Sequence, residues 1–125
     1  ALPADLRAVM KSVTKYSDNP GGGPDNAGYV TATTDYLFLL AEFEYHGSRS
    51  YANSAEQNYQ KQYDYYKAGN SKVHYRHDST GTAVNAWTRS ANSGDSYIFC
   101  LVDTDGTPNS YDADYSRALA PGFAA

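Results

Sequence analysis

Apolar residues recur three or four positions apart in two stretches of the chain, residues 3–14 and residues 53–69. This spacing predicts two amphipathic helices. Pro3 suits the first turn of the first helix, while Asn53 and Gly69 suit the two ends of the second. The apolar positions are Leu6, Val9, Met10 and Val13 in the first helix, and Ala55, Tyr59, Tyr63 and Tyr66 in the second.

Other stretches carry the patterns of strands. Residues 29–33 are rich in strand-forming side chains, and residues 72–77 alternate in the manner of a short edge strand. Residues 36–40 form a continuous apolar run, which fits a strand buried on both faces but also a helical segment. Residues 19–26 are rich in glycine and proline, which predicts a flexible loop.

The last third of the chain, residues 87–123, shows little helical periodicity and predicts a short β-meander. Its apolar anchors predict a buried framework, and Asp103–Gly106 predicts a hairpin turn. Arg89 is expected to be a structural charge bonded to carbonyl groups or a carboxylate. The expected framework residues are Trp87, Phe99, Val102, Leu119 and Phe123.

Composition and charge limit which folds and which partners are possible. With 125 residues the chain predicts one α+β domain over residues 1–125, with two helices on a small, twisted, mainly antiparallel sheet. The net charge of −4 and the lack of a basic stripe argue against nucleic acid as a partner. No apolar run reaches the roughly 18 residues of a membrane span, so no membrane insertion is expected. Because the sequence begins with Ala, we expect a processed form or the C-terminal fragment of a longer protein.

Candidate catalytic and metal-binding groups lack partners at the required spacing. Glu42 and Glu44 could act as an acid–base pair, but no nucleophile accompanies them, so solvated or salt-bridged side chains are expected. His74 and His77 lie in a strand-like segment, where their spacing does not converge on a metal, and we expect them to be exposed. Cys100 is the single cysteine and cannot form an internal disulfide. The sequence therefore predicts a protein that is not an enzyme and needs no metal or other cofactor.

Tyrosine is the unusual residue of this chain, with 13 copies against 4 phenylalanines and 1 tryptophan. Tyrosine offers a large and stiff contact surface, which is why binding loops favour it. The tyrosines of residues 92–116 stand among turn-forming and acidic residues, which predicts display to solvent. The predicted ligand-binding residues are Asp95, Tyr97, Ile98, Leu101, Asp103, Pro108, Ser110, Tyr111, Asp112, Asp114 and Tyr115.

These segments also resemble a domain family of gut bacteria and their prophages. Residues 87–123 are similar to its pattern W-x-R-S … F-x-x-V-x-x-D-G … R-P-x-F, and residues 36–44 to its segment LFLLSE-x-E. The resemblance implies a C-type-lectin-like fold of the formylglycine-generating-enzyme type, with an irregular variable region at residues 87–123. Two features depart from the family: Ala120 replaces the basic residue before Pro121, and the single Cys100 cannot supply the cysteine pair of the oxidases. The matching residues are Trp87, Arg89, Ser90, Phe99, Val102, Asp105, Gly106, Ala113, Pro121 and Phe123.

The same fold carries the variable proteins of diversity-generating retroelements, including the phage tropism determinant. In such systems adenines are mutated, chiefly in Asn codons that end in a pyrimidine, and these codons cannot become Lys, Glu, Gln, Met or Trp codons. Residues 92–116 contain none of these five residue types, although a turn-rich β segment would also deplete them.

The resemblance implies a non-enzymatic receptor-recognition domain of a phage tail or bacterial surface protein. Its ligand would be an unknown protein or glycan on a cell surface, and the chain could be part of an oligomer. Two alternatives remain open at this stage. The first is a structural module of a tail fibre or surface protein without its own ligand. The second is a calcium-dependent glycan-acting enzyme built on the aspartates of residues 95–114.

Overall fold

This computed structural model describes residues 2–125. They contain three short α-helices and nine short strands, joined by turns and loops. The α+β class is confirmed, but the strands form four small antiparallel sheets and not one. None of these helices has the length and apolar character needed to cross a bilayer. The elements are α1 Ala4–Val9, β1 Val13–Asp18, β2 Val30–Asp35, β3 Phe38–Leu39, α2 Glu42–His46, α3 Asp64–Lys67, β4 His74–Arg76, β5 Ser79–Val84, β6 Ala86–Ala91, β7 Ile98–Val102, β8 Pro108–Asp112 and β9 Pro121–Gly122.

The first predicted helix is correct only in its first half. Helix α1 ends at Val9, and the chain enters strand β1 at Val13. Strand β1 pairs with β2 over its whole length, from Val13 opposite Asp35 to Asp18 opposite Val30. The predicted strand at residues 29–33 is confirmed as β2, whose β-branched threonines favour an extended backbone.

The apolar run at residues 36–40 is not a doubly buried strand. Only Phe38–Leu39 is extended as β3, which pairs with β9 near the C terminus, and the two residues before it are exposed. Leu40 does enter the core, where it packs with Tyr45 of α2 and Val102 of β7. The core thus joins the middle of the chain to the central strand of the C-terminal sheet.

The second predicted helix is wrong as a continuous element. Residues 53–69 form a 3-10 turn at Ser54–Asn58 and then the short helix α3. Between them the Tyr63 N–H donates to the Glu44 carbonyl oxygen at 3.1 Å, so it is not available for a helical bond to Tyr59. Because tyrosine is a weak helix former, this long-range bond decides the local conformation.

Strands β6, β7 and β8 form the largest sheet, with β7 in the middle. Residues 100–102 of β7 are fully buried. The β7–β8 hairpin turns at Asp103–Gly106, as predicted. There the Gly106 N–H donates to the Asp103 carbonyl oxygen at 2.9 Å, and the φ angle of Gly106 is +85°, which glycine adopts without strain. The turn fixes the register in which β8 presents its side chains.

Arg89 is a structural charge, as predicted. Its guanidinium donates to the Leu39 carbonyl oxygen at 2.9 Å and forms a salt bridge with Glu44, which also accepts from Lys15 at 2.9 Å. Glu44 is therefore salt-bridged and buried, not solvated. Burial alone would raise the pKa of Glu44, but the hydrogen bond and charge of Arg89, with smaller contributions from the Ala41 N–H and Lys15, hold this pKa below its ordinary value.

The predicted framework of residues 87–123 holds only in part. Val102 is buried and Trp87 is half-buried, but Phe99, Leu119 and Phe123 are 36%, 66% and 45% exposed, so the expectation is wrong for these three. The segment near Leu119 is held by its backbone and not by its apolar side chain. The Trp87 N–H donates to the carbonyl oxygen of residue 118 at 3.0 Å.

The glycine-rich segment at residues 19–26, expected to be a flexible loop, packs against the C-terminal region. The Gly22 N–H donates to the Asn92 carbonyl oxygen at 3.4 Å. A Cβ atom at Gly22 would lie only 2.6 Å from the backbone of Ser96, so this close approach requires glycine. The glycines therefore support the segment that leads into strand β7.

Candidate functional site

One face of the β7–β8 hairpin carries exposed aromatic side chains. Phe99 of β7 lies directly opposite Tyr111 of β8, and the two are 36% and 42% exposed. Side chains alternate between the two faces of a sheet, so residues 99 and 111 lie on the same face. Residues 100 and 102 point the other way, where Val102 joins the core. The hairpin is thus anchored in the core on one side, while its other side is buried at Leu101 near the turn and open at Phe99 and Tyr111.

Tyr115 and Arg117 extend this aromatic surface beyond the end of β8. The Tyr111 and Tyr115 rings meet edge to face, with 6.2 Å between their centroids. The guanidinium carbon of Arg117 lies 5.3 Å from the Tyr111 centroid and 5.0 Å from the Tyr115 centroid. Both distances are those of cation–π contacts, so Arg117 holds the two rings in a fixed arrangement.

Tyr97 extends the aromatic surface on the side of strand β7, just before the strand begins. It is 61% exposed, and its carbonyl oxygen accepts the N–H of Ala113 at 2.8 Å, which extends the ladder past Ile98. By alternation its side chain lies on the side of Phe99. We call the surface made by Tyr97, Phe99, Tyr111, Tyr115 and Arg117 the tyrosine face.

Ten of the eleven predicted ligand-binding residues are at least partly exposed. The structure does not gather all of them on one surface, because Ile98, Ser110 and Asp112 lie on the opposite face from Tyr111. Pro108 shares their face, since it pairs with Val102. The role of all ten in binding stays a prediction.

Leu101 is the exception and was predicted wrongly as a displayed residue. Its side chain is fully buried in β7. Apolar and polar residues do not alternate around Leu101, because residues 98–102 are all apolar. Such a run does not reveal which positions face solvent. The Leu101 side chain therefore belongs to the packed interior.

Three predicted aspartates differ from most other carboxylates of the described residues. Within residues 2–125, no group donates a hydrogen bond or forms a salt bridge to the side chains of Asp95, Asp112 or Asp114. Asp103, by contrast, accepts hydrogen bonds from the Thr104 N–H at 2.7 Å and from Asn109 at 2.9 Å. Asp103 therefore shapes the turn, whereas the other three carboxylates are free to meet a partner.

The outer edge of strand β8 is protected from pairing with another strand. The hydrogen bond from the Ala113 N–H to Tyr97 indicates which backbone groups of β8 pair with β7. The N–H and carbonyl groups of odd-numbered residues point toward β7, and those of even-numbered residues point outward. Pro108 has no N–H, and the N–H of Ser110 is taken by the Asn109 side chain at 2.8 Å. Asp112 also faces outward and keeps its N–H, so this edge offers one donor in place of three, and strand addition is disfavoured. We therefore expect contacts at this site to come mainly from side chains.

A buried polar network that sequence reasoning missed lies between strands β1 and β6. Glu56 and Asp18 are each 1% exposed. Glu56 accepts from the Asp18 N–H at 2.7 Å and from the Ser90 hydroxyl at 2.8 Å, and Asn53 donates to Asp18 at 3.0 Å. Burial raises the pKa of Glu56, although its hydrogen bonds act against this rise. These groups tie β1 to β6, and their oxygen atoms already have donors.

Two histidines, His46 and His74, and the cysteine are also structural. Contrary to expectation His74 is half-buried, and its Nε2 atom lies 3.1 Å from the Tyr45 hydroxyl. Burial, with the nearby charge of Lys72, lowers the pKa of His46 to about 4. Burial also raises the pKa of the Cys100 thiol, which disfavours the thiolate. No three His, Cys, Asp or Glu side chains in the described residues are arranged to hold a metal ion.

A groove of about 760 Å³ adjoins the tyrosine face. Arg117 and Leu119 line one wall, and the β4–β5 hairpin with Tyr75 and Arg76 lines the other. Strand β4 confirms the short strand predicted at residues 72–77. Because Arg117 belongs to both surfaces, a ligand on the tyrosine face can extend into this groove.

Two members of the tyrosine face were missing from the predicted set. Phe99 was assigned to the framework because it is apolar, and Arg117 was not singled out at all. The alternation of Tyr97 and Phe99 with Ile98 and Cys100 could have placed Phe99 outside. No signal in the sequence places Arg117 between two tyrosines, since that contact depends on how the chain turns after Asp112.

Comparison with known proteins gives a family but no activity. No curated protein and no solved structure matches the chain significantly. Residues 1–124 match the family described as Domain of unknown function (DUF6273). The match covers nearly the whole chain, and the protein therefore belongs to the DUF6273 family.

Proposed function

We propose that this protein is a non-enzymatic ligand-binding domain that recognises a receptor through the tyrosine face. The observation that carries the proposal is the exposure of three tyrosines, Tyr97, Tyr111 and Tyr115, at 61%, 42% and 53%. They stand on a hairpin whose other side is fixed in the core. Exposed aromatic groups on a rigid support are typical of binding surfaces, because few rotamers are lost when a partner docks.

The backbone around the tyrosine face suits a surface whose side chains change. The link between Tyr97 and Ala113 and the link between Trp87 and residue 118 are main-chain hydrogen bonds. Such bonds do not depend on side-chain identity, except that proline cannot donate. The segment therefore supports substitution at its exposed positions.

Tolerance of substitution at exposed positions supports the further proposal of a C-type-lectin-like variable protein diversified by a retroelement. The absence of Lys, Glu, Gln, Met and Trp from residues 92–116 supports the same proposal. In that role the domain would belong to a phage tail or a bacterial surface protein. A tail module without its own ligand is less well supported, because it gives the exposed tyrosines no role. A glycan-acting enzyme is also less well supported, since the buried carboxylates already have hydrogen-bond donors.

A library experiment tests the proposed binding role. Five positions would be randomised together and displayed on yeast: the exposed Tyr97, Tyr111, Tyr115 and Asp114 and the partly exposed Asp95. We expect most clones to fold and expect binders to emerge against a target protein chosen in advance, because the anchoring bonds are made by the backbone. Cooperative melting of purified clones and the affinity of selected clones are the measurements.

A matched library provides the control for this experiment. It randomises three tyrosines and two carboxylates of the interior, namely Tyr45, Tyr63, Tyr66, Asp18 and Glu56. These clones should fold rarely, since buried polar groups and core rings lose their partners. If the first library lost folding as often as the second, or yielded no binder, the proposed function would be wrong.

The retroelement proposal makes a separate genomic prediction. DNA around the gene should encode a reverse transcriptase and contain a near-copy of the segment for residues 87–123. Differences between the two copies should fall at adenines of the template copy. Sequencing of the genomic neighbourhood is the measurement, and a neighbourhood without either feature would remove the retroelement from the proposal while leaving ligand binding to the library experiment.

A further inference from the structure

The segment that carries the tyrosine face is the most acidic part of the chain. Residues 92–116 contain five aspartates and no lysine, arginine, histidine or glutamate, which gives a formal charge of −5, or −4 when Arg117 of the tyrosine face is included. The whole chain has a formal charge of −4. The negative charge of the protein is therefore concentrated around its exposed tyrosines.

The free carboxylates of this segment stand at one end of the hairpin. Asp95, Asp112 and Asp114 all lie within two residues of the hydrogen bond between Tyr97 and Ala113. Among residues 2–125, the other carboxylate without a hydrogen-bond donor or a salt bridge is Asp35 of strand β2. The remaining aspartates and glutamates already have a partner in the fold. The carboxylates left without partners thus gather beside the tyrosine face.

The face already accommodates one cation. The guanidinium of Arg117 contacts both Tyr111 and Tyr115, at 5.3 Å and 5.0 Å from their centroids. Tyr97 and Phe99 belong to the same surface and have no such cation on them among the described residues. Their rings offer the same chemistry to a cation brought by a partner.

We propose that the tyrosine face binds an arginine- or lysine-bearing segment of a partner protein. This inference rests on the proposed function and adds the chemical class of the ligand. The basic side chains of the partner contact the exposed rings through cation–π interactions and pair with Asp95 and Asp114, while Asp112, on the opposite face of β8, adds only its negative charge. Because the edge of β8 is protected, the partner binds through its side chains and not by adding a strand. An anionic partner would be repelled by the −5 charge of residues 92–116.

Three fluorescein-labelled peptides test the inference by fluorescence anisotropy: six repeats of Gly-Ser-Arg, six of Gly-Ser-Gln and six of Gly-Ser-Glu. We expect the Arg peptide to bind at least about tenfold more tightly than the Gln peptide, and its affinity to fall as salt rises. Replacing Asp95, Asp112 and Asp114 together with Asn should weaken Arg-peptide binding by about tenfold. The Tyr111→Ala/Tyr115→Ala variant should weaken it by a similar factor.

Matched variants separate recognition from general attraction to an acidic protein. Asp5→Asn/Asp35→Asn/Asp64→Asn removes the same charge from other exposed positions and should change the affinity by less than about twofold. Tyr36→Ala/Tyr65→Ala removes two exposed tyrosines elsewhere and should have no effect. All four variants should keep the melting temperature within about 6 °C of the wild type, since they change exposed side chains.

Two results would overturn the inference. One is an Arg peptide that binds no more tightly than the Gln peptide, and the other is a control aspartate variant that loses as much affinity as the variant of the face. Tighter binding of the Glu or Gln peptide that still required Tyr111 and Tyr115 would reject the cationic partner but keep a binding role for the face. The library experiment uses a target that the experimenter chooses, so the proposed function succeeds or fails there independently.

Discussion

Replacing Arg89 with methionine should lower the free energy of unfolding by about 3 kcal/mol or more. The side chain of Arg89 is 11% exposed, and that of its partner Glu44 is 3% exposed. Methionine keeps the apolar contacts of the Arg stem but leaves the buried Glu44 carboxylate with only Lys15 as an ion-pair partner. The Leu39 and Tyr16 carbonyl oxygens also lose the hydrogen bonds from Arg89, although Tyr16 keeps the one from Gln60. Chemical denaturation at pH 7 measures the loss.

Arg76→Met is the matched control for this prediction. Arg76 also pairs with a carboxylate, at 2.9 Å from Asp78, but both side chains are more than half exposed. Exposed ion pairs contribute roughly 0–1 kcal/mol, so this variant should be nearly as stable as the wild type. Equal losses from the two substitutions would show that the Arg89 network does not hold the sheets together.

The pH dependence of the stability of the Arg89 variant provides a second test of the Arg89–Glu44 interaction. The pKa of Glu44 in the folded state lies below its ordinary value of 4.5, so its contribution to stability is present above that value and is lost as the pH falls through the folded-state pKa. Removal of Arg89 takes away the main opposing influence on the effect of burial, and the pKa of Glu44 should rise. The stability difference between wild type and variant should therefore be largest near pH 7 and shrink as the pH falls below 4.5.

Local patterns predicted the elements whose stabilising contacts are close in the sequence. The turn at Asp103–Gly106 and the strand at residues 74–76 depend on neighbouring residues, and both form as expected. The helix expected at residues 53–69 does not form, because the Tyr63 N–H bonds to Glu44, which lies 19 positions earlier. Sequence periodicity contains no information about such long-range partners.

In the candidate site, too, the sequence predicted what neighbouring residues determine and missed what distant contacts determine. The exposure of Tyr97, Tyr111 and Tyr115 follows from turn-forming neighbours, which the sequence displays directly. The position of Arg117 between two of these rings follows from a change of chain direction after β8, which the sequence does not display. The buried pair of Glu56 and Asp18 was also missed, because burial of a carboxylate requires donors from three other segments.

Leu101→Ala should lower the free energy of unfolding by about 2–5 kcal/mol, whereas Leu119→Ala should change it by less than about 0.5 kcal/mol. The two substitutions remove the same atoms, but Leu101 is fully buried and Leu119 is 66% exposed. The sequence alone suggested the reverse, with Leu101 displayed and Leu119 in the framework. Urea denaturation of both variants measures the difference, and the peptide affinity of each folded variant checks the tyrosine face. A Leu119 variant that lost more stability than the Leu101 variant would mean that β7 is not the central strand on which the tyrosine face depends.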